Sequence, residues 1–169
     1  MPEKSVMHFI NGEYTSGTSG KKFQNINPVD GSVICEVYEG LKPEVDAAVT
    51  AAQQALKGPW GKMTTDERVA ILYKVADGIN ARFEEFLEAE CTDTGKPKSL
   101  ARHIDIPRGA SNFKVFADVI KNVPTETFAM ATPDGAGALN YAIRTPKGVI
   151  AVISPWNLPL LLMTWKVGP

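Results

Sequence analysis

Few residues in this chain combine the type and the setting that chemistry needs. Asn157 stands out, in Ile153-Ser154-Pro155-Trp156-Asn157-Leu158-Pro159-Leu160. An amide fixed at a strand end can aim its NH2 at a developing oxyanion, a contact worth about 3–4 kcal/mol where such donors have been removed. Asn is also a favoured helix cap, and on spacing alone capping is the commoner use. Arg108 is the notable charge: Asn112 lies one helical turn on and Phe116 a turn further, so the three share a face. A planar guanidinium matches a carboxylate with two hydrogen bonds, although a helix Arg more often joins a surface ion pair. Cys35 and Cys91 are the only thiols, and neither adjoins a base, so both read as structural. His8 and His103 are isolated, and no metal-ligand spacing occurs. Gly135-Ala136-Gly137-Ala138-Leu139-Asn140 fails as a dinucleotide fingerprint: Asn140 stands where the third glycine belongs, and no helix follows.

The elements that must position Asn157 are legible on either side of it. Val149 to Ile153 is an apolar, mostly β-branched run, opened by Gly148 and closed by Ser154-Pro155. That composition predicts a strand buried on both faces of a parallel sheet. An apolar helical run follows, Leu160 to Val167. Strand, turn and helix make half of an α/β unit, and ligands bind such sheets at the carboxyl ends of the strands. Upstream, residues 7–14, 22–26 and 32–38 read as strands, with turn signals at Asn11-Gly12 and Asp30-Gly31, and together predict a β-meander over 7–38. Pro43 suits a first helical turn, and that helix stops at Gly58-Pro59. Thr64 and Glu67 form a capping box for a second helix, with a break expected near Asn80 and a stop at Gly95. Ser99 is expected to cap a third helix reaching about Asn122, kinked at Pro107. Pro124, Pro133 and the 135–137 glycines mark a loop, and Leu139 to Thr145 alternates as an exposed strand.

Bulk properties narrow the class. Hydrophobic content of 44% and charged content of 22% over 169 residues suit one globular domain. A net charge of −1 gives no reason to expect nucleic acid or an anionic membrane as partner. Two distant cysteines suit a reducing, cytoplasmic setting. The N-terminus has no signal-peptide apolar core, and Leu158 to Trp165 is too short to span a bilayer.

Several segments in register resemble the NAD(P)-dependent aldehyde dehydrogenase superfamily. They are Phe9-Ile10-Asn11-Gly12-Glu13, Asn27-Pro28-Val29-Asp30-Gly31, Val45-Asp46-Ala47-Ala48-Val49 with Ala51-Ala52, Asp93-Thr94-Gly95-Lys96-Pro97, Gly148 to Leu160, and Trp165-Lys166-Val167-Gly168-Pro169. Lys96 to Arg108 most resembles the dehydrogenases of hydroxy- and aminomuconic semialdehydes, ring-cleavage products of aromatic compounds. The resemblance implies an α/β fold: the N-terminal part of the NAD-binding domain over 1–138, an oligomerisation strand over 139–147, and the first core strand and helix of the Rossmann-like domain over 148–169, truncated. The chain stops directly after an apolar helix, with no partner for the strand just made, so an N-terminal fragment of roughly the first third of a family member is expected.

The resemblance also implies an NAD-dependent oxidation of 2-hydroxymuconic semialdehyde to the dicarboxylic acid. Asn157 would hold the oxyanion after a downstream Cys thiolate attacks the aldehyde. A downstream Glu would then activate water to release the acid. Ile153, Ser154, Pro155 and Trp156 would line the nicotinamide end of the NAD site, with Ser154 where the family usually has an aliphatic residue. Arg108, Asn112, Leu158, Leu161, Leu162 and Trp165 would line the substrate tunnel. Partners would be the small semialdehyde and further copies, as a homodimer or homotetramer, with no nucleic acid or membrane and no metal site. Some members bind a monovalent cation near an aspartate like Asp93 and a carbonyl like that of Ile26. Alternatives are an aminomuconic semialdehyde, betaine-aldehyde-like or general aldehyde dehydrogenase with Arg108 on the surface, and a non-catalytic truncated subunit.

Overall fold

The computed structural model describes residues 5–169; Met1 to Lys4, part of the segment read as lacking a signal peptide, lie outside the described residues. The strands predicted over 7–14, 22–26 and 32–38 form, joined by an unpredicted one at residues 5–6, but they divide between two sheets. Asn11-Gly12 turns a hairpin between β2 (His8–Ile10) and β3 (Glu13–Thr15), with the Phe9 and Tyr14 rings 5.0 Å apart. A second sheet pairs β4 (Lys22–Ile26) antiparallel with β5 (Val33–Tyr38). Its turn is tied by the Gly31 amide donating to the Asn27 carbonyl and by the Asp30 carboxylate accepting from Ser32. The other edge of β5 is taken in parallel by β1 (Ser5–Val6), giving the order β1-β5-β4. The single meander expected over 7–38 is therefore corrected. With β1 and β4 on its two edges, β5 offers nothing to β3.

Five helices and one single turn follow. α1 (Lys42–Lys57) has Pro43 in its first turn, as expected, and α2 (Pro59–Lys62) is a single turn that periodicity had not shown. Glu44 serves as an anchor at the start of α1. Its carboxylate accepts from the Leu41 amide, the Thr18 amide and the Thr18 hydroxyl at 2.9, 2.7 and 2.8 Å. α3 (Thr65–Ala81) opens on the Thr64–Glu67 capping box and ends beside the predicted break, with Arg82 separating it from α4 (Phe83–Thr94). Gly95 stops α4 in the left-handed conformation, φ 71°, its amide donating to the Cys91 carbonyl.

The expected third helix is two helices, α5 (Lys98–His103) and α6 (Asp105–Asn122), broken at Ile104. Proline lacks an amide hydrogen and its ring crowds the carbonyl four residues back. Pro107 is accommodated by restarting the helix just ahead of it rather than by kinking one. Ser99 is not the cap; Pro97 precedes the first turn and no side chain caps it.

α3 and α6 lie together, flanked by Lys114 paired with Asp77 and by the Tyr73 hydroxyl donating to Asp118. Ala76, Ile79, Leu87, Cys91, Ala101, Ile106, Ala110, Phe113 and Leu160 form the core, so α3 to α6 and the last helix share one apolar centre. That helix, α7 (Pro159–Val167), matches the predicted run.

Two further expectations are corrected between α6 and α7. Thr127–Met130, read as loop, is β6, which pairs antiparallel with β7 (Ala138–Tyr141) around the 135–137 glycines; the strand predicted over 139–145 has no ladder beyond Tyr141. Val149 to Ile153 is not a buried strand here: residues 142–155 carry no ladder, and Ile153 is 83% exposed. A parallel strand is stable only between neighbours that satisfy its amides and carbonyls. No described residue pairs with this segment.

Candidate active site

Asn157 sits in the bend that leads into α7, exposed, with no side-chain hydrogen bond among the described residues. The capping alternative is corrected: the cap position of α7 is Leu158, whose side chain makes no capping bond, and Pro159 takes the first helical position. What fixes Asn157 is its backbone. Its carbonyl accepts from Lys96 Nζ at 3.0 Å.

Lys96 belongs to a buried charge cluster that sequence reasoning missed. Its ammonium meets Asp105 Oδ2 at 2.5 Å and Glu90 Oε1 at 3.3 Å, with side-chain exposures of 11% for Lys96, 2% for Asp105 and 3% for Glu90. The other Glu90 oxygen accepts from the Leu160 amide at 3.2 Å, in the first turn of α7. Burial alone would lower the Lys96 pKa, but its hydrogen bonds to Asp105 and Glu90 outweigh that and hold it above the ordinary lysine value. A signal was present in the sequence. Phe83, Phe86, Leu87 and Glu90 follow helical spacing, so a carboxylate lies on the apolar stripe of α4 and requires a partner.

α7 packs along α6 with both chains running the same way. Leu160 contacts Gly109, Leu161 and Thr164 meet Asn112, and Trp165 and Gly168 meet Phe116. Asn112 is buried, and its Nδ2 donates to the Leu161 carbonyl at 3.3 Å and Thr164 Oγ1 at 2.9 Å. Its amide thus pins α7 to α6. Trp165 stands edge-on to Phe116 at 5.5 Å and keeps part of its surface exposed. Leu161 is buried, whereas Leu158 and Leu162 are half-buried. Arg108, one turn before Asn112, is exposed and joins no ion pair among the described residues.

Ile153, Ser154, Pro155 and Trp156 are all exposed, Trp156 at 86%. Only the Ile153 carbonyl is engaged, accepting from Lys166 Nζ. The uncovered indole of Trp156, beside Ile153 and Pro155, offers apolar area on which a flat ring could stack. A cleft of about 970 Å³ lies elsewhere, between β5, α4 and α7, and none of residues 153–158 lines it. Cys35 borders that cleft; Cys91 is buried in the core, and burial pushes its thiol up, away from nucleophilic use. Asp93 accepts from Asn25 Nδ2 at 2.7 Å, and no cluster of metal-ligating side chains occurs among the described residues.

The aldehyde dehydrogenase family model matches residues 14–169. The chain belongs to the aldehyde dehydrogenase family. It is 70% identical to the 2-hydroxymuconic semialdehyde dehydrogenase of Pseudomonas sp. (strain CF600), over 98% of this chain and 34% of that protein. It is 50% identical to a 2-aminomuconic 6-semialdehyde dehydrogenase of Pseudomonas sp., over 98% of this chain and 33% of the relative. Among solved structures, the NAD+ complex of an aldehyde dehydrogenase from Bacillus cereus superposes with a TM-score of 0.91 at 38% identity, over 98% of this chain and 33% of that one. The chain thus spans about a third of the length of the aldehyde dehydrogenases it matches, and over that third it has their α/β fold.

Proposed function

We propose that this chain is part of an NAD-dependent dehydrogenase that oxidises 2-hydroxymuconic semialdehyde to the dicarboxylic acid in meta-cleavage degradation of aromatic compounds. The 70% identity to an enzyme of that name, sustained over 98% of the chain, carries the reading. The free guanidinium of Arg108 supports it: a muconic semialdehyde carries carboxylate, and Arg108 has no competing anion among the described residues.

The residues divide the work as follows. Asn157 donates its amide to the oxyanion that develops on the aldehyde oxygen. Arg108 binds the substrate carboxylate. Leu158, Leu161, Leu162 and Trp165 supply apolar wall, and Asn112 holds α7 in place beside them. Ile153, Ser154, Pro155 and Trp156 hold the nicotinamide end of the cofactor, which supplies a hydride acceptor. The thiol nucleophile and the general base are supplied by residues outside these 169. The domain division is read as N-terminal part of the NAD-binding domain over 1–138, oligomerisation strand over 139–147 and first Rossmann-like core elements over 148–169. Exposed Phe128, Met130, Leu139 and Tyr141 on the β6–β7 hairpin support assembly of the enzyme as a homodimer or homotetramer. Two unpaired cysteines support a cytoplasmic setting.

Kinetics of Arg108→Leu in the intact enzyme test the substrate. Loss of a charge-assisted pair costs about 1.5–3 kcal/mol, or roughly 10- to 150-fold in kcat/KM. That loss is expected on a muconic semialdehyde and not on a neutral aldehyde. Equal effects on both, or none on either, would remove Arg108 from the substrate site.

A further inference from the structure

Lys96 is a buried charge for which the reaction has no use. It is placed to act through its neighbours. An ammonium has three N–H donors. All three have an acceptor here: Asp105 Oδ2, Glu90 Oε1 and the Asn157 carbonyl. Glu90 continues the network to the Leu160 amide. The four residues from Asn157 to Leu160, which span the end of the bend and the start of α7, are therefore held at both ends by one connected set of charges. Its carbonyl end is held by a cation and its amide end by a carboxylate.

Stability alone does not account for this arrangement. Taking charges out of water costs several kcal/mol per ion, and apolar residues of similar volume often serve a core as well or better. What the cluster supplies is a fixed position for a bend that no side chain of its own caps. Asn157 makes no other hydrogen bond that would orient it among the described residues. Its backbone carbonyl is thus the handle that sets where its Cα–Cβ bond points. Preorganised donors work only when correctly aimed, and a misplacement of about 1 Å can cost on the order of 10²-fold in rate.

We infer that Lys96, locked by Glu90 and Asp105, is a positioning residue that sets the Asn157 amide for the oxyanion. The inference rests on the oxyanion role given to Asn157 under Proposed function. It also gives a use to two acidic residues that the reaction does not otherwise need.

The test is a double-mutant cycle in the intact enzyme, with kcat normalised to titrated active sites. Asn157→Ala is expected to lower kcat by about 10²- to 10³-fold. Lys96→Met is expected to lower kcat by about tenfold or more while KM for the coenzyme stays within about twofold. In the Asn157→Ala background, Lys96→Met should cost less than about twofold further, because the group it positions is already gone. A residue that merely stabilises the fold would give the same factor in both backgrounds, and that result would overturn the proposal. So would a Lys96→Met enzyme with near-parental kcat. An Asn157→Ala enzyme of near-parental kcat would instead overturn the oxyanion role itself and the inference with it. Should Lys96→Met fail to fold, Glu90→Gln takes its place in the cycle with the same expected and overturning results, since it keeps the shape and removes the charge. Hydrogen exchange at the Leu160 amide gives a readout independent of turnover. It should speed up in either variant, and unchanged protection in both would refute the network's hold on the bend.

Discussion

Gly95→Ala offers a sharp check on how the bend after α4 is built. Gly95 sits at φ 71°, where a residue with a Cβ costs about 1–2 kcal/mol. A Cβ there would also lie 2.9 Å from Pro28 Cγ and 3.2 Å from Val29 Cγ2. Pro28 is a ring fixed in the β4–β5 turn, so it cannot swing aside as a long side chain would. Overpacking of that kind adds about 1–3 kcal/mol. The total expected is about 2–5 kcal/mol. Gly31 provides the control: its φ is 73°, and nothing lies within 4 Å of its added Cβ. Gly31→Ala should therefore cost only the backbone part, about 1–2 kcal/mol. Urea unfolding followed by circular dichroism, compared at constant m-value, gives both numbers. If the two variants agree within about 0.5 kcal/mol, the close approach of Gly95 to Pro28 is not in force, and the packing of β4–β5 on the end of α4 is misread.

Asn112→Ala should destabilise by about 1–3 kcal/mol through loss of its two hydrogen bonds, and Asn112→Asp by more, because a carboxylate would face the Leu161 carbonyl; chemical denaturation ranks the pair. Gly109→Ala places a Cβ 2.9 Å from Leu160 Cγ and should push α7 off α6 at a cost of about 1–3 kcal/mol, read in the same assay. Glu44 is held at about 2 by the Thr18 hydroxyl first and then by the Thr18 and Leu41 amides. A carboxyl lowered in the folded state stabilises above its unfolded pKa, and that support is lost as pH falls from about 4.5 toward about 2. Glu44→Gln should therefore be less stable near neutrality and should flatten the acid limb of a Tm-against-pH curve across that window.

Local signals are legible where one residue settles the geometry. The Thr64–Glu67 box, the Gly95 stop and the proline-led start of α1 all stand where spacing put them. Pro107 signals an interruption, but local rules do not say whether a helix bends at the proline or restarts ahead of it, and the break falls at Ile104. Pairing was harder. The sequence pattern marks the strands within 7–38, but not β1 at Ser5–Val6, nor its place on the edge of β5. Val149 to Ile153 has the composition of a core strand, but composition supplies no partner. At the site, Asn157 and Arg108 were singled out by residue type. Glu90, Lys96 and Asp105 were not, because their meeting depends on the reversal at Gly95 bringing α4, the following loop and α6 to one point.

From Tyr141 to Asn157 every residue is exposed, and this stretch is the sole covalent tether between α7 and the preceding elements. It carries Arg144 and Lys147, side chains that a trypsin-type specificity pocket accepts. Cutting there would sever the polypeptide without touching the grip of Asn112, Phe116 and Glu90 on the helix. In a polypeptide of these 169 residues the C-terminal piece would stay docked as a noncovalent complex, so a gel run in denaturant would show two bands where gel filtration in native buffer shows one species. Chain continuity and structural continuity are separate properties in this molecule, and α7 depends on the second.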